Sequence, residues 1–449
     1  ERLNAAAAAA LTASVSTGHV GIFQYRRRTV EPLLMTGDPA PPAAGNRFSV
    51  FLEAASNTRG DLAFTAYTFF PDRQGLFLKR DGVVTPLALA GDVAPTPDGE
   101  WYASFDQVHL TEAGEVYFGA GLVGPAGSVS RAILKADATG VHPVIVRGDR
   151  YGFRQVEEPL QFAVNAAGEV TAVARITDVD LLAEPQTVTE VILLADGRLR
   201  TLASVNLVLN EGNDQVRNFA ITFNQIDMTE SGEAVFYAGS DHFLHGGYYV
   251  NRAGRLFANE RLLAQGDPSP LQPGDRIDTP LAFGITSSDV LIFHATTSTA
   301  PGGAIFARRD GEMTPVAVAG EPRPDGLAPW HGFLQISVDE SGAFAFSDFQ
   351  GLAQVAIYTG RFLPPPSEIL ASLRATIDQS GLARGAMAGL VARLEPIEAA
   401  LRRDGFETAL RLARSFLQEL TARADHGLST ELVLALESDL EDLILALGG

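Results

Sequence analysis

Cysteine is absent from this chain of 449 residues, which removes disulfides, thiolate nucleophiles, zinc ribbons and iron–sulfur ligation. The absence leaves the compartment open, because secreted proteins that fold without oxidation and cytosolic proteins both tolerate it. Lysine is nearly missing: Lys79 and Lys135 are the only two, so arginine carries nearly all the positive charge. The 34 basic residues stand against 54 acidic ones, and the net charge of −20 disfavours a nucleic-acid backbone or an anionic membrane surface as partner. No run approaches the ~18 apolar residues of a membrane-spanning helix. The opening ERLNAAAAAALTAS lacks the basic-then-apolar order of a signal peptide, so the expectation is that none is present or that it has been removed. Nucleophile elbows (GxSxG), Walker loops, HExxH and dinucleotide fingerprints are also missing.

What is present is repetition. A polar turn residue, two residues, usually a glycine, and then an apolar pair or triplet recur every ~54 residues. The copies are NTRGDLAF from Asn57, TEAGEVYF from Thr111, NAAGEVTA from Asn165, TESGEAVF from Thr229 and DESGAFAF from Asp339. Degenerate copies begin at Asn4 and Thr286, giving seven. A second phrase travels in phase: GDPAP at Gly37, GDVAP at Gly91, GDR at Gly148, GDPSP at Gly266 and GEPRP at Gly320. Between them lie GIF at Gly21, GLF at Gly75 and AIF at Ala304, and an Asp-Gly pair such as Asp81-Gly82 follows the last two.

Each unit therefore reads as four short strands. In the second unit the expected strands are Ser49–Ala55, Asp61–Phe69, Gly75–Arg80 and Val84–Ala90. Asn or Asp followed three residues later by Gly is a turn joining antiparallel neighbours, with the glycine free to take positive φ. The second strand is apolar on both faces, as in LAF, VYF, AVF and LIF. A sheet with one wet face would alternate instead, so both faces are expected to be covered. Small sheets stacked radially as propeller blades satisfy that requirement. Unit one reads as starting at its second strand and unit seven as stopping after its third, which predicts 26 strands and unpaired edges at both ends.

From Pro364-Pro365-Pro366 onward the apolar period changes to that of helices. One helix starts near Ser367, and three more are predicted over 383–403, 406–424 and 429–447, the last capped by Ser429. The triple proline reads as a stiff spacer. The expected fold is thus mainly β, a seven-repeat β-propeller of four-stranded antiparallel blades over 1–363, followed by a four-helix module over 367–449.

The phrases NTRGDLAF, TEAGEVYF and TESGEAVF with their companion GDPAP resemble the tandem NxxGxxAF repeats of large bacterial secreted and surface-anchored proteins. That resemblance covers 1–362 and implies a propeller-like fold and an extracellular or cell-surface address, with no catalytic residues to carry over. Ala7 and Asp289 depart from it at the turn glycine, and the Gly-Asp phrase is missing from 204–214. The tail is similar, in its spacing of small residues, leucines and Phe416, to the helical FIMAH module at the ends of secreted proteins.

Candidate chemistry is sparse. His242 and His245 form an HxxH pair, a spacing that puts the two rings on opposite faces of a strand. Asp38, Asp92, Asp149 and Asp267 occupy equivalent places, so a closed ring of them could bind calcium, whereas the simpler reading has each carboxylate accept backbone N–H groups in its own turn. Asp178 with Asp180, and the acidic run 211–214, read as loop insertions with a weak calcium signal. Trp101, Tyr102 and Trp330 follow the Gly-acid phrases; Trp101 and Trp330 read as equivalent, a repeated packing role, and would have to converge on one face to bind a glycan.

No catalytic, cofactor-binding or metal residue is assigned, and the chain is expected not to be an enzyme. The leading expectation is an extracellular structural or adhesive protein that self-associates as a homo-oligomer or homopolymer through incomplete end blades and the helical tail. A glycan- or peptide-binding propeller and a polysaccharide-acting enzyme are the alternatives. A cell-surface glycan or protein is a further possible partner.

Overall fold

The computed structural model describes residues 3–4, 8–14, 20–26, 29–178, 187–204, 222–239, 246–252, 254, 259–286, 290–309, 311–323, 329–338, 343–349, 355–361, 366–380, 382, 384–403, 405–423 and 430–447. They fall into two compact units, Glu1–Gly360 and Arg361–Gly449. The first is built of antiparallel sheets and the second of helices.

Seven sheets follow in chain order, and within each the strands are laid down in sequence order. The first holds β1 (Leu3–Asn4), β2 (Ala8–Ser14), β3 (Val20–Arg26) and β4 (Thr29–Met35). The second holds β5 (Phe48–Ser56), β6 (Leu62–Phe69), β7 (Asp72–Arg80) and β8 (Val83–Leu89), matching the four strands expected there. The third holds β9 (Trp101–Leu110), β10 (Val116–Val123), β11 (Val129–Asp137) and β12 (Gly140–Ile145). The fourth has five strands, β13 (Arg150–Tyr151), β14 (Arg154–Val164), β15 (Val170–Asp178), β16 (Thr187–Ala195) and β17 (Arg198–Ser204). The fifth holds β18 (Thr222–Met228), β19 (Ala234–Gly239), β20 (Gly247–Asn251) and β21 (Asn259–Ala264). The sixth holds β22 (Ile277–Ile285), β23 (Leu291–Thr297), β24 (Ala304–Arg309) and β25 (Glu312–Val318). The seventh has, among the described residues, β26 (Phe333–Val338), β27 (Ala343–Phe349) and β28 (Val355–Arg361).

Among the described residues there are 28 strands, more than the expected 26. Sheet one does have a first strand: β1 pairs with β2 through Leu3↔Ala9 and Asn4↔Ala8. Sheet four gains β13 because the chain folds back at Gly152. Both extra strands are two residues long, too short to carry a period of two.

The two-faced second strands are buried as expected. Leu62, Ala63, Phe64, Thr65 and Ala66 of β6 are all buried, so both faces of the strand meet neighbouring sheets. The core is accordingly a series of layers between consecutive sheets. Ile22, Phe48, Phe64 and Phe77 fill the layer between sheets one and two, and Leu76, Tyr102, Phe105 and Phe118 the next. Burying each such side chain contributes about 1.5–3 kcal/mol.

Two recurring phrases tie the sheets together. In the first turn Gly60 takes φ +85°, a conformation that favours glycine, and Gly60 N donates to Asn57 O. Asn57 Oδ1 accepts Asp61 N at 3.0 Å, while Nδ2 donates at 3.3 Å to Thr111 O, the same turn one unit later. The Gly-Asp phrase joins the last strand of one sheet to the first long strand of the next. Gly266 N donates to Ile277 O and Ile277 N to Asp267 O, and the pattern repeats at Gly37-Asp38 with Phe48, Gly91-Asp92 with Tyr102 and Gly148-Asp149 with Val156.

In the second unit α1 (Pro366–Gln379), α2 (Arg384–Leu401), α3 (Phe406–Arg423) and α4 (Thr430–Ala446) pack as consecutive neighbours, and α1 also packs on α4. Leu373, Ile377, Leu394, Ile397, Leu436, Leu440 and Leu443 are fully buried between them. The expected cap Ser429 and prolines Pro364 and Pro365 lie outside the described residues.

Candidate functional site

The seventh sheet departs from the rest both in its core and at its edge. Six residues beyond the turn position usually held by glycine, five sheets place a fully buried alanine: Ala66, Ala120, Ala174, Ala238 and Ala295. The seventh has Asp348 there. Three residues beyond the glycine of the Gly-acid phrase, where Ala40 and Ala94 are buried, the seventh sheet's entry loop has Arg323. Asp348 Oδ2 lies 3.4 Å from Arg323 Nη1, and the two side chains are 0% and 1% exposed. Asp348 Oδ1 accepts His331 N at 3.0 Å and Gly332 N at 3.3 Å. Arg323 also donates to the Tyr358 hydroxyl and lies 5.8 Å from the centroids of both Trp330 and Tyr358.

Around this pair Trp330, Phe333, Phe346 and Tyr358 form an aromatic cluster, with Trp330 to Tyr358 at 4.3 Å between ring centroids. Sheet six contributes His294, whose ring meets Phe333 at 5.7 Å. His294 is buried, its Nε2 has no hydrogen-bond partner, and burial pushes its pKa down to about 4, so it is neutral at ordinary pH. The arrangement positions backbone: the buried carboxylate holds the entry to β26, and the guanidinium braces Tyr358 on β28.

At the outer edge, sheets one to six each carry a strand beyond their third main strand: β4, β8, β12, β17, β21 and β25. Among the described residues β28 has no such neighbour. Tyr358 stacks on Phe346 at 5.7 Å, as Phe77 stacks on Phe64 and Phe306 on Phe293. Outside Phe77 and Phe306 the register places Pro86 and Pro315.

Sheet four has a related buried carboxylate. Glu190 is fully buried and bonds Arg154, Tyr151 Oη at 3.0 Å and Thr201 Oγ1 at 2.8 Å. Burial, and secondarily the Glu190 charge, holds the Tyr151 hydroxyl well above the usual phenol range.

The residues singled out by sequence do not converge. Asp38, Asp149 and Asp267 each accept the backbone N–H three residues earlier, from Met35, Val146 and Ala264, all at 2.8 Å, and Asp92 pairs with Arg73 at 3.6 Å. These carboxylates are engaged inside their own turns or at the sheet junction. Asp178 pairs with Arg154 at 3.5 Å. Asp180, the run 211–214, His242 and His245 lie outside the described residues. Among the described residues no group of three or more His, Asp or Glu is placed to hold a metal ion. Trp101 is 38% exposed whereas Tyr102 and Trp330 are buried. The equivalent of Trp330 is Tyr102, not Trp101: Gly320 N and Gly91 N donate to Trp330 O and Tyr102 O respectively.

Sequence reading missed a polar ladder on the first long strands of the sheets. Glu53, Gln107, Gln161 and Gln225 each stand four residues before a turn phrase. The Glu53 carboxylate accepts Val108 N at 3.3 Å, Gln107 Oε1 accepts Phe162 N at 3.2 Å, Gln161 Oε1 accepts Gln225 N at 2.8 Å, and Gln225 Nε2 donates to Leu281 O. Each link joins one sheet's first long strand (β5, β9, β14, β18) to that of the next sheet (β9, β14, β18, β22) at a β-bulge or beside one. The recurrence at a fixed offset from the turn was the available signal.

Residues 2–152 match the model of a family described only as one of unknown function, DUF7453. No curated protein matches the chain. Among solved structures, a puromycin hydrolase is 15% identical with a TM-score of 0.45 over 78% of this chain and 49% of that one. A puromycin-hydrolyzing peptidase of Mycobacterium tuberculosis is 14% identical with a TM-score of 0.42, covering 78% and 49%. A prolyl endopeptidase is 12% identical with a TM-score of 0.44, covering 71% and 41%. The chain spans about half the length of these proteins or less. They correct the expectation that the chain is not an enzyme: its structural neighbours are hydrolases, so missing catalytic motifs no longer support that assignment. At these TM-scores the likeness carries no argument for any particular reaction.

Proposed function

We propose that the chain is an extracellular subunit whose seven sheets are the blades of a β-propeller and that it associates with further copies of itself through the incomplete seventh blade. The observation that carries this reading is that, among the described residues, the seventh sheet has three strands beside six sheets of four or five. The placement of β1 against β27 supports a ring in which the last blade neighbours the first. An unfilled sheet edge is a template for pairing with another chain. β28 reads VAIYTGR, with no proline and no charge before Arg361, so it lacks the usual blocking devices. The outside address rests on the resemblance to secreted tandem repeats and their helical tails.

The test is light scattering over a range of protein concentrations, with electron microscopy of the same samples. Mass that rises with concentration, with ordered oligomers or filaments in the images, is expected. A monomer at every concentration would sink the reading.

A further inference from the structure

We infer that the end of the third sheet carries a saccharide-binding trough, in which the exposed indole of Trp101 stacks on the C–H face of a neutral pyranose while Arg131, Asp106 and Ser104 bond its hydroxyls. The inference is independent of the proposed self-association and uses no residue of the seventh sheet.

The trough follows from register, because cross-strand partners share a face of a sheet. Where the entry loop reaches sheet three, Val93 bridges to Trp101, Trp101 pairs with Val123, and Val123 pairs with Val129. Val93, Trp101 and Val129 are all exposed. The next row on the same face, ~7 Å along the strands, is Ser104, Gly121 and Arg131, and the row after it is Asp106, Gly119 and Ile133. Arg131 Nη2 reaches Asp106 at 2.8 Å across the middle strand, and both side chains are partly exposed. Among the described residues Arg131 is held through Nη2 alone, which leaves Nε and Nη1 to donate elsewhere.

Sheet three departs from its neighbours at the residues that make this surface. A Cβ on Gly119 would collide with Asp106 Oδ1, and one on Gly121 with Ser104 Oγ, so the two glycines let the polar groups lie over β10. Sheets two and four fill the same places, five and seven residues past the turn glycine, with Thr65 and Tyr67 and with Val173 and Arg175. Ten residues past the glycine of the Gly-Asp phrase, sheets two and six have Arg47 and Arg276, which fold back to donate to Gly37 O and Gly266 O. Sheet three has Trp101 at that place, an exposed ring beside a strand cleared of side chains.

The walls are fixed before any ligand arrives. Glu100, buried next to Trp101, accepts Ser130 Oγ at 2.5 Å and so ties the entry loop to the strand that carries Val129. The chemistry then selects the ligand. β10 is laddered on both sides through these rows, so the face offers an extended peptide no backbone partners. An aromatic face with a carboxylate, a guanidinium and a hydroxyl to one side matches a ring with C–H groups on its face and hydroxyls at its rim. The Arg131–Asp106 pair is neutral as a unit and the chain carries −20, which disfavours acidic sugars.

Trp101 and Trp330 are the only tryptophans and Trp330 is buried, so acrylamide quenching of the intact protein's fluorescence reads Trp101. The probes are hexasaccharides of glucose, mannose, galactose and N-acetylglucosamine, with hexagalacturonate as the acidic comparison. At least one neutral sugar should give saturable protection from quenching, and calorimetry then gives its Kd. Trp101→Arg installs the residue that sheets two and six carry at this place, so it should keep the melting temperature and weaken that sugar at least about tenfold. Arg131→Met should weaken it at least about tenfold as well, while leaving Trp101 of the free protein as open to acrylamide as before. No protection by any neutral sugar, an unchanged Kd in either variant, or equally tight binding of hexagalacturonate would overturn the inference.

Discussion

Arg323 and Asp348 form an ion pair at 3.4 Å in which neither side chain reaches solvent. Such a pair adds little net stability, because desolvating both charges offsets their attraction, but removing one partner strands the other. Asp348→Ala should therefore cost about 3–5 kcal/mol by urea denaturation. The double variant Arg323→Ala/Asp348→Ala restores the small residues found at the equivalent places in other sheets and should recover most of the loss. A double variant no more stable than Asp348→Ala would show that the pair does not act as a unit.

Gln74 clamps the second sheet to the third. Its Nε2 donates to Phe105 O at 2.7 Å and its Oε1 accepts Phe105 N at 3.1 Å, with the side chain buried. Gln74→Ala leaves both backbone groups buried and unpaired and should destabilise the β unit by roughly 2–4 kcal/mol. Hydrogen exchange should show the Phe105 amide opening well before its neighbours on β9; uniform loosening of the sheet would contradict a local clamp.

How far the sequence went is visible at particular residues. The turn at Asn57 and Gly60 was legible because each needs a specific residue type: an amide that bridges to the next turn, and a residue free to take positive φ. The two-faced burial of β6 was legible because it reads as an uninterrupted apolar run. The ladder from Glu53 to Gln225 was hidden, because one polar residue in a half-buried strand has no period of its own and its partner is a backbone group one unit away. Arg323 and Asp348 were hidden for a different reason. They are 25 positions apart, and their significance appears only when the equivalent alanines are laid beside them.

The aspartates of the Gly-Asp phrase should be indifferent to calcium. Three of them already accept a backbone N–H at 2.8 Å within their turns. Adding calcium or a chelator should leave the melting temperature unchanged, whereas Asp267→Ala should lower stability by about 1 kcal/mol through the lost acceptor. A calcium-dependent rise in melting temperature that Asp267→Ala abolishes would mean that the carboxylate serves a metal instead of its turn.

The helical unit should respond separately. Leu440 is fully buried among the four helices. Leu440→Ala should cost about 2–5 kcal/mol. That loss should appear in the helical signal at 222 nm while near-ultraviolet signals from the aromatic layers of the sheets keep their transition. A common shift of both signals would mean that the two compact units unfold as one.

His294 should give the protein an acid limb. Burial lowers its pKa to about 4, so the native state holds the ring neutral while the unfolded chain binds a proton near pH 6.5. Above that range neither state is charged and stability is level. Between about pH 6.5 and 4 the unfolded state binds more protons, so stability falls as the pH falls, by ~3 kcal/mol in all. Below pH 4 both states are protonated and this contribution is flat. His294→Phe keeps a ring against Phe333 without a titrating group, so its melting temperature should hold steady across the window where the parent's declines. Parallel profiles for the two proteins would assign the acid limb to carboxylates, whose protonation acts mainly at lower pH.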